Sequence, residues 1–249
     1  MDSGTYSPAF RMIAGQTERL EAVTENLANC TNPGYRRLQV DHKLFEAALQ
    51  NFIQSPGSWQ EGKQFDPISV DFTPGPIRNT SRPTDFAING NNSTFFVVEN
   101  NGRELYTRNG HFQVDAQGNV TNSDGFAVLG PNGPVNIPPN TDLASLVVDD
   151  NGALRSHGKN LDLLKLASFS DTTQLIRAGT TLFSTPDDMK PQEPSPDAKI
   201  INGALEFSNT TVFEEMAEVI SCMRAYEACQ KIIRNQDEAE GRMIQQLSL

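Results

Sequence analysis

The sequence is poor in basic residues and has no basic cluster. Lys and Arg number 20 against 31 Asp and Glu in 249 residues, which gives a formal net charge of −11. The basic residues are scattered along the chain, whereas nucleic-acid binding draws its affinity from grouped Lys and Arg that displace counterions from phosphates. The composition therefore argues against a nucleic-acid partner.

Long apolar runs are missing as well. No stretch of about 18 apolar residues occurs in the sequence, so we expect no transmembrane helix. Residues 1–6 lack the basic start and apolar run of a cleaved signal peptide, so we expect none. By composition alone the chain would be a cytosolic protein.

Only three cysteines occur, and they form no Cys-x-x-Cys motif. Cys222 and Cys229 are two turns apart on one predicted helix, which places their Cα atoms beyond the limit of about 7 Å for a disulfide. We therefore predict that Cys30, Cys222 and Cys229 are buried as small apolar side chains.

The sequence also lacks the motifs of catalysis and metal binding. His42, His111 and His157 are far apart and have no ligand spacing, and neither a phosphate-binding glycine loop nor Gly-x-Ser-x-Gly occurs. Residues 149–152 lack the alternating acidic ligands and the distal Glu of a calcium loop. We therefore expect no enzymatic activity, no cofactor and no metal.

What the sequence does have is a long predicted helix at its C-terminal end. Thr211 and Glu214 form a capping box at a helix start, and no proline follows. A helix of about 37 residues would be roughly 55 Å long, more than a compact domain of this size needs, so it must lie against something along its length. Its apolar residues recur mostly every three, four or seven positions. The candidate interface positions are Val212, Met216, Val219, Ile220, Met223, Tyr226 and Ile233.

A second predicted helix lies at the N-terminal end, where Ser7 and Pro8 are typical of the N-cap and first turn. It ends at a junction, because Pro33 disfavours helical backbone at Asn32 and Gly34 permits a turn. We expect Pro33→Leu and Gly34→Ala at this junction to impair assembly with little loss of stability in the β domain. The candidate interface positions on this helix are Ile13, Leu20, Val23 and Leu27, and the helix-stop residues are Asn29, Asn32, Pro33 and Gly34.

Two arrangements of these helices fit their apolar seams. They could pack as ordinary amphipathic helices on the middle of the chain, or they could project from it as a two-helix stalk. Our prediction is the second: an α+β fold in which the N- and C-terminal helices pair as a coiled-coil-like stalk around an inserted, mainly antiparallel β domain.

Between the helices the sequence has the pattern of short strands. Residues 68–72 and 86–88 alternate with period two, 95–99 do so less cleanly, and Gly-containing turn pairs recur at regular spacing, which is typical of antiparallel β structure. Residues 114–120 and 148–154 resemble each other and predict two similar hairpins. We expect a fragment of about 68–185 to fold alone. The predicted domains are a helical assembly domain at 1–33 and 203–249, a connecting region at 34–75, a β-rich domain at 76–185, and a proline-rich return linker at 186–202.

Three sets of motifs match one protein family in order. Near the N-terminus stand Asn26-Leu27-Ala28-Asn29 and Pro33-Gly34-Tyr35-Arg36. The middle has Thr73-Pro74-Gly75-Pro76-Ile77, Arg82-Pro83-Thr84-Asp85-Phe86-Ala87-Ile88, Tyr106-Thr107-Arg108-Asn109-Gly110 and Val128-Leu129-Gly130. The C-terminal set is Gly203-Ala204-Leu205-Glu206-Phe207-Ser208-Asn209, Glu215-Met216 and Arg224-Ala225-Tyr226-Glu227-Ala228. Together they resemble the signatures of bacterial flagellar rod and hook proteins.

Within that family, the length, the Met1-Asp2 start and residues 237–242 look most like the proximal rod protein, with the distal rod protein or a hook-family subunit as alternatives. The chain departs from the family in three places. Thr31 and Asn32 exchange the usual polar pair before Pro33-Gly34, the glycine-rich run before Phe95-Phe96 is altered, and Thr210-Thr211 stand where an apolar residue is common.

The resemblance implies a structural subunit of the flagellar basal-body rod, which polymerises through its terminal helices into part of the drive shaft and export channel. Its partners would be copies of itself, other rod proteins and the flagellar type III export apparatus. It would stand in the periplasmic rod without a cleaved signal peptide or a membrane span, which overrules the cytosolic expectation. The alternative of a different class is a soluble β domain, capped by the helices, that binds a carbohydrate or a protein.

Overall fold

A computed structural model of the chain describes residues 8–39, 68–186, 189–194 and 197–247. The side chains of 8–12, 232, 233, 236, 237 and 239–247 are outside the described part, as is most of the predicted connecting region. The described residues form two helices, two short 3₁₀ turns and a set of short strands, so the fold is α+β.

The strands are β1 (Leu38–Gln39), β2 (Ser69–Val70), β3 (Ile77–Asn79), β4 (Phe86–Asn89), β5 (Thr94–Asn100), β6 (Arg103–Thr107), β7 (Gln113–Val114), β8 (Val120–Thr121), β9 (Ala127–Gly130), β10 (Gly133–Pro134), β11 (Leu146–Val148), β12 (Ala153–Ser156), β13 (Lys159–Leu163), β14 (Leu166–Ser168), β15 (Ile176–Arg177), β16 (Leu182–Ser184), β17 (Lys199–Asn202) and β18 (Ala204–Glu206).

The helix bounds agree with the capping signals of the sequence. Helix α1 (Pro8–Asn29) ends at the first residue of the predicted helix stop, and helix α2 (Val212–Leu247) begins directly after Thr211 and is 36 residues long. Glu214 and Glu215 lie in the first turn of α2, where negative charge is favourable at the positive end of the helix dipole. None of the described helices is long and apolar enough to cross a membrane.

The chain divides into two compact units. The helical unit comprises residues 1–28, 38–69 and 212–249, and the β unit comprises 29–37 and 70–211. The β unit contains a nine-stranded antiparallel sheet in the order β15-β16-β6-β5-β9-β8-β7, with β10 paired to β9 and β14 paired to β5. A three-stranded sheet β11-β12-β13 and the pairs β17-β4 and β18-β3 complete the unit.

Strand β5 lies in the middle of the β unit and is buried on both faces. Phe96 and Val98 belong to one apolar cluster, whereas Phe95 and Val97 belong to another. Alternate residues of a strand point to opposite faces, so each face of β5 has its own core. Burial on both faces explains why 95–99 show no clean polar alternation in the sequence.

The two predicted hairpin loops share one design, and a third loop shares it too. The side chain of Asp115 accepts hydrogen bonds from the amides two and four residues later, as do those of Asp149 and Asn122. In each loop the glycine three residues on, with φ of 82° to 90°, donates to the backbone carbonyl of the first residue. The sequence comparison missed the third copy because Asn122 replaces the aspartate.

The two units divide the chain at other residues than the sequence-based boundaries do. Residues 199–202, assigned to the return linker, form β17 and pair with β4, and Ile200 is buried in the core. Residues 29–33 and 203–211, assigned to the helical domain, belong to the β unit. The proline-dense stretch ends at Pro196, so nothing prevents the apolar residues after it from extending the β structure.

Candidate assembly surface and buried junctions

The predicted interface positions differ in how deeply they are buried. On α1, Val23 is buried, while Ile13, Leu20 and Leu27 are half-buried. On α2, Val219 and Tyr226 are half-buried and Val212 is exposed, and the side chain of Ile233 lies outside the described residues.

The buried stripe of α2 is displaced by one residue from the predicted seam. Glu215, Cys222 and Cys229 are buried and recur every seven residues, whereas their neighbours Met216 and Met223 are 50% and 52% exposed. A template that counts apolar residues selects the methionines, because it gives a glutamate no weight and cysteines little. The burial prediction is confirmed for Cys222 and Cys229, where desolvation raises the thiol pKa, but Cys30 is only half-buried.

The displacement leaves an exposed apolar ridge on α2, formed by Phe213, Met216, Ile220 and Met223. These residues recur at intervals of three and four, so they lie on one side of the helix. Ile220 is 51% exposed and Phe213 is 86% exposed. Sequence reasoning missed Phe213, which falls between the predicted seam positions at the start of the helix.

Within the helical unit, polar side chains join α1 to α2. Arg19 forms an ion pair with Glu218, and the buried Asn26 amide donates to Oε2 of the buried Glu215 at 3.2 Å. Asn26 also accepts from the Leu38 backbone N–H at 2.8 Å and donates to the Leu38 carbonyl at 2.9 Å, as a strand neighbour would. Asn26 and Glu215 both belong to the family motifs, and here they share one hydrogen bond.

The helix-stop junction belongs to the β unit. Asn32 donates through its backbone N–H to the Asn29 carbonyl at 2.9 Å, and Gly34 donates to the Glu206 carbonyl at 2.7 Å. Gly34 has φ of 70°, and a Cβ at this position would overlap the backbone of Asn109. Only glycine satisfies both constraints, so Gly34 fixes the chain on the β unit as well as ending the helix.

A buried carboxylate, Glu206, receives donors from three distant segments. Its Oε1 accepts from Arg36 Nη2 at 2.6 Å and from the Gly75 backbone N–H at 3.0 Å. Its Oε2 lies 3.4 Å from Arg108 Nη1, an ion pair without hydrogen-bond geometry. The three charged side chains are almost completely buried. The pKa of Arg108 is lowered to about 10, chiefly because burial disfavours the charged form; Glu206 opposes this shift and nearby Arg36 adds to it.

We call this cluster the Glu206 junction, and it gives the separated motifs of the sequence a common site. Its members Arg36, Gly75, Arg108 and Glu206 come from four separate motif segments of the sequence. Buried charges require partners, so each segment depends on the others. Each motif can be recognised in the sequence by itself, but no local pattern indicates that the four segments meet at one site.

Asn209 makes a second connection beside the Glu206 junction. Its side chain accepts from the Arg37 backbone N–H at 2.8 Å and donates to the carbonyls of Asp71 and Thr73 at 2.8 and 3.1 Å. The segment that follows α1 and the segment that precedes α2 are therefore held side by side on the β unit.

A cleft of about 570 Å³ opens beside the helix stop, lined mainly by amides, hydroxyls and small residues of the β unit. At its edge, His111 Nδ1 lies 2.9 Å from the buried Asp85 carboxylate, which also accepts from the Thr80 hydroxyl at 2.7 Å. Across the described residues, no group of His, Cys, Asp and Glu has the geometry of a metal site.

This chain is similar to known proteins along its whole length. Residues 87–156 match the family model of the flagellar hook protein FlgE/F/G D1 domain, and 201–246 match that of the flagellar basal body rod FlgEFG protein C-terminal. The flagellar basal-body rod protein FlgG of Agrobacterium fabrum is 30% identical over 252 residues, covering 92% of this chain and 94% of the relative. FlgF of Caulobacter vibrioides is 28% identical over 99% of this chain and 98% of its own, and FlgF of Salmonella typhimurium is 29% identical over all of both chains.

Proposed function

The chain belongs to the family of flagellar basal-body rod proteins, and we propose that it is a structural subunit of the rod in the flagellar basal body. The observation that carries this proposal is the similarity along the whole chain, which includes both helices and the β unit. The convergence of four motif segments on Glu206 supports it, because the family motifs then have a common structural purpose.

We propose that assembly uses the apolar ridge of α2. Four large apolar side chains that are half or more exposed on one helix are a surface that a neighbouring subunit could cover. Full burial of such a side chain contributes about 1.5–3 kcal/mol. If the ridge meets a different surface on the neighbour, the contact does not close, and repeated contacts of this kind build a filament.

The pairing of α1 and α2 as a coiled-coil-like stalk is part of the same proposal. The Arg19–Glu218 ion pair and the Asn26–Glu215 hydrogen bond support it, since both join the two helices. In this arrangement Val23 and the half-buried residues of α1 would face α2, while the ridge would face a neighbouring subunit.

The finer proposals concern place and partners. The full-length alignment with relatives named FlgF supports a subunit of that kind, and the resemblance of the chain ends suggests the proximal part of the rod. Copies of this chain and other rod proteins would be the neighbours, and export through the flagellar apparatus without signal cleavage would deliver the subunit to the periplasm.

The test replaces Met223 with Asp and uses Ser221→Asp as a matched control, because Ser221 is an exposed polar residue of the same helix. Met223→Asp should block incorporation into basal bodies, since a carboxylate would be buried without a partner. Thermal melting of the purified chain should hardly change, because Met223 is half-exposed there.

The control variant should be incorporated normally. Normal incorporation of Met223→Asp would contradict the proposed interface. Unfolding of the purified Met223→Asp chain would instead place Met223 in a private core and favour the capped β-domain alternative.

A further inference from the structure

We propose that residues 197–211 form a strap that closes over the β unit in a step of its own and is locked by the Glu206 carboxylate. The strap contains β17 and β18, which pair with β4 and β3 rather than with the nine-stranded sheet. A segment whose strands lie outside the main sheet can detach without breaking the hydrogen bonds of that sheet, although Ile200 then leaves the apolar core, and cooperative opening of one such segment is a known form of partial unfolding.

Backbone hydrogen bonds fasten the strap on two sides. On one side, Gly203 donates to Asp85 at 2.8 Å and Phe207 donates to Pro76 at 3.0 Å. On the other, Glu206 accepts from Gly34 at 2.7 Å. The strap thus bridges the segment after α1 and the segment that contains β3 and β4.

Charge explains why the strap must be present before the junction can close. Arg36 and Arg108 are both buried, and Glu206 is the carboxylate that contacts each of them. Without the strap, no other carboxylate of the described residues pairs with these two guanidinium groups, and burying them close together would be strongly unfavourable at low dielectric. The segment 34–36 therefore cannot settle on the β unit until Glu206 arrives.

Distance along the chain points the same way. The contacts of Glu206 with Arg36 and Gly75 span 170 and 131 residues. Contacts of such separation cost the most loop entropy, so they are expected late in folding, after the local hairpins of the nine-stranded sheet. Closure of the strap then fixes the two points at which the chain enters and leaves the β unit, where Arg37 and Asn209 share a hydrogen bond.

The experiment is native-state hydrogen exchange on the full-length chain, comparing the wild type with Glu206→Gln. The substitution keeps the size of the side chain and removes its charge. Exchange at the strap amides of Gly203 and Phe207, and at Gly34, should accelerate together by at least about tenfold, the value of a hydrogen bond to a charged group. Amides between β5 and β6 should keep their wild-type rates.

Gly34 is the decisive probe because its N–H bonds to the Glu206 backbone carbonyl, which the substitution leaves in place. Glu104→Gln is the matched control, since Glu104 is an exposed residue of the same unit whose contacts with Lys165 and the Tyr106 hydroxyl involve no strap residue, and it should leave the rates at Gly34, Gly203 and Phe207 unchanged. If Glu206→Gln does not yield folded protein, Asn209→Ala weakens the strap at its outer end and should accelerate the same amides.

Three results would overturn the proposal. Faster exchange at Gly75 alone would show that the carboxylate acts only on its nearest donor. Equal acceleration across β5 and β6 would show that the strap opens only when the whole unit unfolds. Unchanged rates throughout would have the same consequence.

Discussion

Gly34 shows how much one residue of the helix stop contributes to the β unit. Its backbone has φ of 70°, and its N–H donates to the backbone carbonyl of Glu206. The backbone of Asn109 occupies the space that a Cβ at position 34 would need. From the sequence we expected changes here to affect assembly and spare stability. The contact with Asn109 changes that expectation, because a side chain at position 34 would displace backbone of the β unit itself.

Gly34→Ala should therefore lower the free energy of unfolding by more than Gly102→Ala. Gly102 also has positive φ, at 79°, but a Cβ there would meet open space. Gly102→Ala should lower the free energy of unfolding by about 1–2 kcal/mol, because a residue with a side chain is strained in left-handed backbone. Gly34→Ala should cost at least about 1–3 kcal/mol more, because it also overpacks the site. Denaturant unfolding of the purified chains measures both.

Equal losses in the two alanine variants would contradict a fixed junction, since they would mean that the backbone around Asn109 yields without cost. A smaller loss at Gly34 than at Gly102 would contradict it more strongly.

At the scale of elements, α2 has two different apolar faces. The buried stripe consists of Glu215, Cys222 and Cys229, and the exposed ridge includes Met216 and Met223, each one residue after a member of the stripe. One residue corresponds to about 100° of rotation in an α-helix, so the two faces are separate surfaces. The first is buried within the chain, and the second is exposed, as the proposed contact with a neighbouring subunit requires.

Thiol labelling distinguishes these faces without mutation. In the folded chain, Cys222 and Cys229 should react slowly with an aromatic disulfide reagent, whereas the half-buried Cys30 should react first. Burial raises the pKa of the Cys222 and Cys229 thiols, so less thiolate is present at about pH 8 than an exposed thiol of pKa near 8.5 would supply. Their labelling should accelerate only as the pH rises further.

In denaturant all three thiols should react at one rate, which is the control. Rapid labelling of Cys222 in the folded chain would mean that the stripe is accessible and that the assignment of the two faces is wrong.

The end of α1 and the start of α2 could be predicted from the sequence, but the rotation of α2 could not. Pro33 and Thr211 are local signals that act on neighbouring residues, and α1 ends at Asn29 and α2 begins at Val212. Which face is buried depends on contacts with distant residues. The buried stripe of α2 includes Glu215, and its hydrogen bond from Asn26 offsets part of the cost of burying the carboxylate. The periodicity of apolar residues gives no sign of this pair.

At the scale of the molecule, the β unit is larger than the sequence suggested. A fragment of 68–185 lacks the strap and the segment 29–37, so Arg108 would lose its ion pair and β4 would lose the strand beside it. It should melt at least about 10 °C below a fragment of 29–211, because a shift of 2–4 °C accompanies each kcal/mol in a domain of this size. Calorimetry of the two fragments measures this difference, and equal melting temperatures would contradict the enlarged unit.

The antiparallel β structure was predictable, while the Glu206 junction was not. Turn residues such as Gly118 and Gly152 act locally and mark the hairpins in any context. Glu206 meets Arg36 and Arg108 only after the whole unit has folded, so their proximity has no local signal. The sequence reveals these residues only indirectly, because each of them lies in one of the motifs that match the family in order.

The most direct measurement is an electron-microscopy reconstruction of the basal body that contains this chain. We expect the subunit to stand in the rod and Phe213, Met216, Ile220 and Met223 to lie buried against neighbouring subunits. A rod without this subunit, or a rod in which these four side chains face water, would contradict it.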